Sequence, residues 1–245
     1  MSHRVFGVTH AGRLTGGAMP LIQFVGILAL LATVGLALLG LSGALIAWGT
    51  GRRALAGRLL AGGALVVFAY LGGVAAVSLL SREEIRPVGV AKRFCGFYLD
   101  CHLAAAVISV DTASQLGDGI HPLPARGTFW IVTVRLSSDA RREPLRFEGL
   151  RYRVRLPNGR WFVRVHDAEA RLGSDPEATT AARFAPGESR AVRLVFDLPK
   201  GAAPLLSIKE GVPPDTMIEG LLLGDEDSAL HRAVLFALSL GSPAA

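Results

Sequence analysis

Residues 95–102 read CGFYLDCH and contain both cysteines of the chain, with five residues between Cys95 and Cys101. That spacing admits three chemistries. In an oxidising compartment the two thiols pair and close a small loop that includes Gly96, a constraint worth roughly 2 kcal/mol by chain entropy. In a reducing compartment they stay free. As metal ligands they fall short, because zinc wants four donors and no second Cys/His pair completes the set. A c-type haem site needs CxxCH, and here Cys101 and His102 imitate only its end. The disulfide is the favoured reading. A metal or redox centre built on Cys95, Cys101 and His102, joined by Met217 or another histidine, is the alternative.

The search for other reactive groups is mostly negative. The six histidines stand at 3, 10, 102, 121, 166 and 231, with no helical or hairpin pairing among them. His102, His166 and His231 are better read as solvated or core residues than as ligands, since a site must assemble several donors at once. No GxSxG, HExxH or GxxxxGK[ST] motif occurs, so no catalytic residue, cofactor or small-molecule substrate is expected. Asp225, Glu226 and Asp227 lack the spaced ligands and closing Glu of a calcium loop and read as an acidic turn. Arg151, Arg153 and Arg155 alternate with apolar residues and so share one face of a strand. They form a candidate interaction surface for anionic lipid headgroups or an acidic partner, against the plainer reading of a solvated sheet face.

The elements that must position these residues begin with two apolar runs, 21–48 and 59–80, neither containing a charged residue. A helix rises about 1.5 Å per residue, so each run exceeds the roughly 30 Å of a bilayer's hydrocarbon core. Both are too long for a signal h-region and too free of charge for an ordinary core helix. Two membrane spans are expected, joined by the short segment GTGRRALAGR and returning as a hairpin. Ala69 with Gly73, and Gly72 with Ala76, give small-xxx-small spacings, alongside Gly62 and Gly63. These favour close contact inside the hairpin over a dimer seam. Residues 1–18 read as a disordered tail, and Met19, directly before Pro20, is a second candidate start.

Arg52, Arg53 and Arg58 make the connecting loop the densest basic segment beside the spans, which places it in the cytoplasm and both chain ends outside. Arg82, Arg86, Lys92 and Arg93 weaken that bias from the other side. The cysteine pair breaks the tie towards an extracytoplasmic domain. The formal charge of +6 first suggests nucleic acid. Residues 1–86 hold seven Arg and two Glu, while the rest hold 19 Lys plus Arg against 18 acids. The excess flanks the membrane runs, and a nucleic-acid partner loses its support.

Beyond a juxtamembrane linker at 81–93, residues 94–240 follow a period of two, and 241–245 form a tail. Strands are expected at 103–110, 128–136, 145–147, 150–156, 161–165, 189–198 and 203–208. A turn at Asn158 and Gly159 joins Leu150, Tyr152, Val154 and Leu156 to Trp161, Val163 and Val165 as one inward face. Residues 166–186 read as a long loop. Residues 221–223 pair across GDEDS with 231–240, where Val234, Phe236, Leu238 and Leu240 point inward; a short amphipathic helix competes for that last segment. Seven or so strands at regular spacing argue for an antiparallel sandwich.

The order GTFWIVTVRLSSDA, a hairpin around PNG, a loop, then FAPGESRAVRLVFDLP resembles the immunoglobulin-like domains of bacterial secreted and membrane-anchored proteins of unassigned function. That group includes a mycobacterial secreted immunogenic protein. Trp130, Val132, Val134 and Ser137 to Asp139 carry the first part of the likeness; Pro186, Gly187, Glu188, Phe196 and Pro199 carry the second. It spans about residues 100–210, and CGFYLDCH and the region beyond 210 depart from the pattern. The resemblance implies an immunoglobulin-like sandwich and brings no catalytic residues. The expected protein is thus a two-helix transmembrane hairpin followed by an all-β immunoglobulin-like antiparallel sandwich. It would sit in the cell membrane with its C-terminal domain outside, presenting a non-catalytic binding or scaffolding module to an envelope partner.

Overall fold

A computed structural model describes residues 21–94, 101–117, 121–213, 215–223, 228 and 230–239. Helix α1 (Leu21–Gly49) and helix α2 (Arg53–Leu80) lie antiparallel. The turn between them is tighter than the sequence suggests. Gly51, at φ 77°, donates its N–H to the Trp48 carbonyl, and Arg52 donates to Ala47 at 2.8 Å. α2 therefore starts at Arg53 rather than residue 59. Charge had marked the end of the apolar run, but arginine is a good helix former and Arg53 to Arg58 simply extend the helix outward.

The hairpin seam is built from Ala44, Ala47 and Ala56, with Leu59 packed against them. A Cβ on Gly40 would stand 3.3 Å from the Leu59 carbonyl oxygen and 3.7 Å from the Gly63 Cα, so the backbones meet there. Gly63 is in the seam as expected, whereas Gly62 and Gly72 face open space. The small residues of α1 supply the other half. Outward from the seam the apolar side chains are bare: Leu39, Leu65 and Phe68 are each at least 70% exposed.

The rest of the described chain forms two packed sheets. One has the order β1 (Glu84–Arg86), β9 (Val234–Ala237), β8 (Leu205–Lys209), β5 (Arg151–Arg155) and β6 (Trp161–Phe162). The other runs β2 (Ala91–Phe94), β3 (Leu103–Leu116), β4 (Leu123–Ser138) and β7 (Ser189–Leu198). Trp130, Val132, Val134 and Leu136 of β4 and Val192, Leu194 and Phe196 of β7 meet Tyr152, Val154, Leu206, Ile208 and Phe236 of the opposite sheet. Alternation along β4, β5 and β7 puts these residues on the inner faces.

Several expectations need correction. Residues 81–93 are not a linker, because β1 and most of β2 lie within them and pair with β9 and β3. Residues 166–186 are not a loop: they carry α3 (His166–Arg171) and α4 (Pro176–Ala181). α4 starts with Pro176 behind an Asp175 side chain that accepts the Ala178 N–H at 2.9 Å, a start signal that a six-residue helix is too short to reinforce with periodicity. Ala168 of α3 packs with Phe129, Val195 and Leu116 on the outside of the second sheet. This is why β4 is apolar on both faces from Phe129 to Val132.

The β5–β6 hairpin is present, but with Val154 opposite Phe162 and Arg155 opposite Trp161. That register sends Phe162 inward and leaves Trp161 and Val163 exposed, the reverse of the expected face. Gly159 alone takes the positive φ, 81°, at the turn. Residues 145–147 make only the bridge Leu145 to Phe184, and Phe147 is instead fixed by edge-on rings at Phe94 and Phe184. Among the described residues, 231–239 do not pair with 221–223. β9 runs antiparallel to β8 and parallel to β1, and Val234, Phe236 and Leu238 are buried as expected. The 1–18 tail, Leu240 and the 241–245 tail lie outside the described residues.

Candidate functional site

The most developed constellation outside the sandwich core is the junction where the C-terminal third of the chain clasps the helices. α2 ends at Leu80, and Ser81 closes it, donating its hydroxyl to the Ser78 carbonyl at 2.6 Å. The same hydroxyl oxygen accepts the Arg232 N–H at 2.9 Å. One turn deeper, the Ser78 and Ser228 hydroxyls meet at 3.1 Å, fully buried. Deeper still, the Tyr70 hydroxyl donates to the Leu221 carbonyl at 2.8 Å. Two glycines make room for this strap. A Cβ on Gly26 would stand 2.5 Å from the Leu223 carbonyl oxygen, and one on Gly73 would touch the Leu223 side chain at 3.6 Å.

Glu83, three residues beyond α2, receives both its carboxylate hydrogen bonds from the Arg155 guanidinium, at 2.6 and 2.7 Å. Arg155 also lies over the Trp161 ring at 5.8 Å. The arginine stripe is therefore divided. Arg155 ties the sandwich to the helix end, while Arg151 and Arg153 stay exposed beside Lys209 and Ser207 of β8.

Behind the strap lies a buried charged group. Gly211, at φ 117°, turns the chain after β8; its N–H reaches the Glu148 carbonyl at 2.7 Å, while the Glu148 N–H donates to the Glu210 carboxylate at 2.7 Å. The helix α5 (Asp215–Glu219) follows, and a Cβ on Gly211 would meet Thr216 at 2.5 Å and the Glu219 carboxylate at 3.4 Å. Glu219 is 8% exposed and Lys92 is 2% exposed, the latter donating to the Ile208 carbonyl at 2.8 Å. Burial pushes the Glu210 carboxyl up to about 7, against the Glu148 N–H; the charges of Glu219 and Glu148 push the same way and Lys92 opposes them.

A second polar cluster sits where α3 and α4 meet the sandwich. Arg164 donates to Glu169 at 3.1 Å and to Glu177, and its guanidinium covers the Tyr152 ring at 5.4 Å. Glu169 is 1% exposed and also accepts the Val195 N–H at 3.2 Å. Burial raises its carboxyl despite the nearby Arg164 charge. His166, Glu169 and Glu177 lie close enough to share a metal ion. Arg164 already neutralises both carboxylates, which makes this a cross-brace between the helices and β7 rather than a cation site.

The sequence-derived candidates are dispersed. Cys101 is 9% exposed two residues before β3, and among the described residues no cysteine is free; Cys95 lies outside them. The last register pair of β2 with β3, Phe94 with Leu103, holds the chain on either side of the cysteine segment. His102 Nδ1 is 2.7 Å from Asp139, which also accepts from Arg93 at 2.6 Å. Met217 is 69% exposed on α5. His231 contacts the Arg232 carbonyl. Among the described residues the His and Glu group able to hold a metal contains none of Cys101, His102 and His231, so the metal or redox alternative gains nothing from it. Residues 224–227, the expected acidic turn, lie outside the described residues.

The clasp was not foreseen. Its traces in the sequence are Tyr70 in the middle of an apolar run and the non-periodic Leu221 to Leu223, and neither says which residues meet.

No family model and no curated protein matches this chain. Three solved structures are similar to it at low identity. A secreted protein of Mycobacterium tuberculosis, MPT63, is 14% identical with a TM-score of 0.38, over 54% of this chain and 92% of that one. A conserved hypothetical protein of Bacillus anthracis is 13% identical with a TM-score of 0.36, over 49% and 94% respectively. An uncharacterised β-sandwich protein of Clostridium difficile is 9% identical with a TM-score of 0.34, over 65% and 97%.

Proposed function

We propose that the chain is an integral membrane protein whose two helices anchor an extracytoplasmic, immunoglobulin-like β-sandwich that acts by binding or scaffolding rather than catalysis. The observation that carries this reading is the bare apolar surface of the hairpin. Both helices are long enough to cross a bilayer, and their most apolar stretches are only 6% and 11% buried within the protein. A core helix of a soluble protein covers such a surface, and an uncovered one of this size needs lipid. Arg52, Arg53 and Arg58 at the hairpin turn favour the cytoplasm for that end, which leaves the sandwich outside. A bond between Cys95 and Cys101 fits that compartment and the burial of Cys101.

The exposed Arg151 and Arg153 face, with Lys209 beside them, is the surface that an acidic segment of an envelope protein would meet. The test is fractionation of cells expressing the full chain. The protein is expected to stay in the membrane pellet after an alkaline carbonate wash, and protease added to spheroplasts is expected to digest the sandwich while the cytoplasm stays sealed. Release by carbonate would contradict the anchoring, and protection from protease would contradict the orientation.

A further inference from the structure

The strap between β8 and β9 carries apolar side chains that the protein leaves uncovered. Met217 is 69%, Leu221 43% and Leu230 64% exposed. On α5, Thr216 and Glu219 turn towards Gly211 at the base of the sandwich, so Met217, on the other side of the helix, is displayed away from it. Leu230 is held at φ 69°, alone among the described non-glycine residues, in a turn closed by the His231 N–H on the Ser228 carbonyl at 3.0 Å. That conformation opposes the preference of a branched side chain, and its effect is to present a leucine outward beside the end of α2.

The position of the strap along the helices says what meets these side chains. Tyr70, which holds Leu221, lies ten residues before Leu80. At the helical rise that is about 15 Å below the sandwich end of α2. Ser78, which holds Ser228, is near the top. The contacts at Leu221 and Ser228 thus lie along the last ten residues of α2, beside a hairpin whose own outward apolar side chains are bare. The backbone around Leu221 is partnered in a way that suits such a place. Gly220, Leu221 and Leu222 donate to Thr216, Ile218 and Glu219 carbonyls, and the Leu221 carbonyl is taken by Tyr70, as backbone near hydrocarbon requires.

We infer that Met217, Leu221 and Leu230 insert into the outer leaflet of the bilayer beside α1 and α2, so that the strap is a third membrane contact. It fixes the sandwich against the lipid surface in one orientation instead of leaving it on a swivel. The inference rests on the anchoring reading above, and the experiment separates the two. Single cysteines at Met217→Cys, Leu221→Cys, Leu230→Cys, Phe68→Cys and Ala185→Cys are placed in a full chain lacking Cys95 and Cys101. They are labelled with a polarity-sensitive fluorophore and reconstituted in phosphatidylcholine vesicles containing or lacking brominated lipid.

The Met217, Leu221 and Leu230 probes are expected to be quenched by brominated lipid as the Phe68 probe is, and severalfold less by aqueous iodide than the Ala185 probe on the sandwich. Quenching by iodide and not by lipid at the strap, with Phe68 still quenched by lipid, overturns the insertion and leaves the anchor standing. Shielding from both quenchers also overturns it, by showing that protein covers the strap. If the Phe68 probe itself escapes lipid quenching, the anchoring reading has failed. Because Met217 and Leu230 are more exposed than Leu221, they keep the test decisive should the Leu221 variant misfold.

Discussion

Replacing Glu210 by glutamine should remove a pH dependence that the wild-type fold carries. The Glu210 carboxyl is raised from 4.5 to about 7, chiefly by burial, with the Glu219 and Glu148 charges adding to it. Below about pH 4.5 the group is protonated whether the chain is folded or not, and the stability tied to it is fully present. As pH climbs towards 7 the unfolded chain gives up the proton first, so folding has to hold a proton that the solvent would take. Stability is lost across that window and the loss is complete above it. At about 1.4 kcal/mol per unit, the interval corresponds to about 3 kcal/mol.

Glutamine does not titrate, and its side-chain carbonyl can still accept the Glu148 N–H that Glu210 accepts at 2.7 Å. Urea unfolding of the full chain in detergent micelles, followed by near-ultraviolet circular dichroism between pH 5 and 8, is the assay. Wild type should lose stability steadily from pH 5 to about 7, and Glu210→Gln should be flatter. At pH 8 the variant should be the more stable of the two, by up to about 3 kcal/mol less whatever attraction to Lys92 it gives up. The reasoning is refuted if both proteins show the same slope, or if the variant is the weaker at pH 8.

Two further experiments probe the frame. Among the described residues Tyr152 has a buried hydroxyl with no hydrogen-bond partner, so Tyr152→Phe should leave stability unchanged or raise it by about 1 kcal/mol. The ring contact with Arg164 survives in the variant, and a loss above about 1 kcal/mol in the same urea assay would reveal a partner for the hydroxyl. Arg155 and Glu83 are each about a quarter exposed, which limits the pair to about 1 kcal/mol of coupling. A double-mutant cycle with alanine at both positions should return that value at low salt and less at high salt. Additive single effects would show that the pair is geometry without energy.

Much of the sandwich was legible because its strands are one-sided. Val192, Leu194, Phe196 and Leu198 recur at every second position and all four are buried along β7, while Val195 between them is buried on the opposite face beneath α3. Where a turn fixes register, the pattern misled. Trp161 and Val163 look like the continuation of an apolar face, yet the turn before them places Phe162 opposite Val154 and turns both outward. The helices α3 and α4 were hidden by their brevity, and β1 by its three residues. β1 exists only because β9, almost 150 residues later, lies beside it, and such long-range pairing leaves no local trace.

The clasp shows the same limit more sharply. Gly26, Tyr70, Gly73 and Ser78 look like ordinary members of apolar runs; they matter because a segment from the far end of the chain reaches them. Arg151, Arg153 and Arg155, by contrast, are placed on one strand by their alternation alone. Only the structure separates Arg155, bound to Glu83, from the two arginines left exposed.

The central claim, a sandwich held outside the cell by a membrane hairpin, is tested most directly by the two cysteines. Intact cells expressing the full chain would be treated with a membrane-impermeant maleimide before and after mild reduction. Labelling of Cys95 and Cys101 only after reduction is the predicted result, and places a paired cysteine segment on the outer side. Labelling that requires cell lysis and no reductant would put the sandwich in the cytoplasm with free thiols and contradict the account.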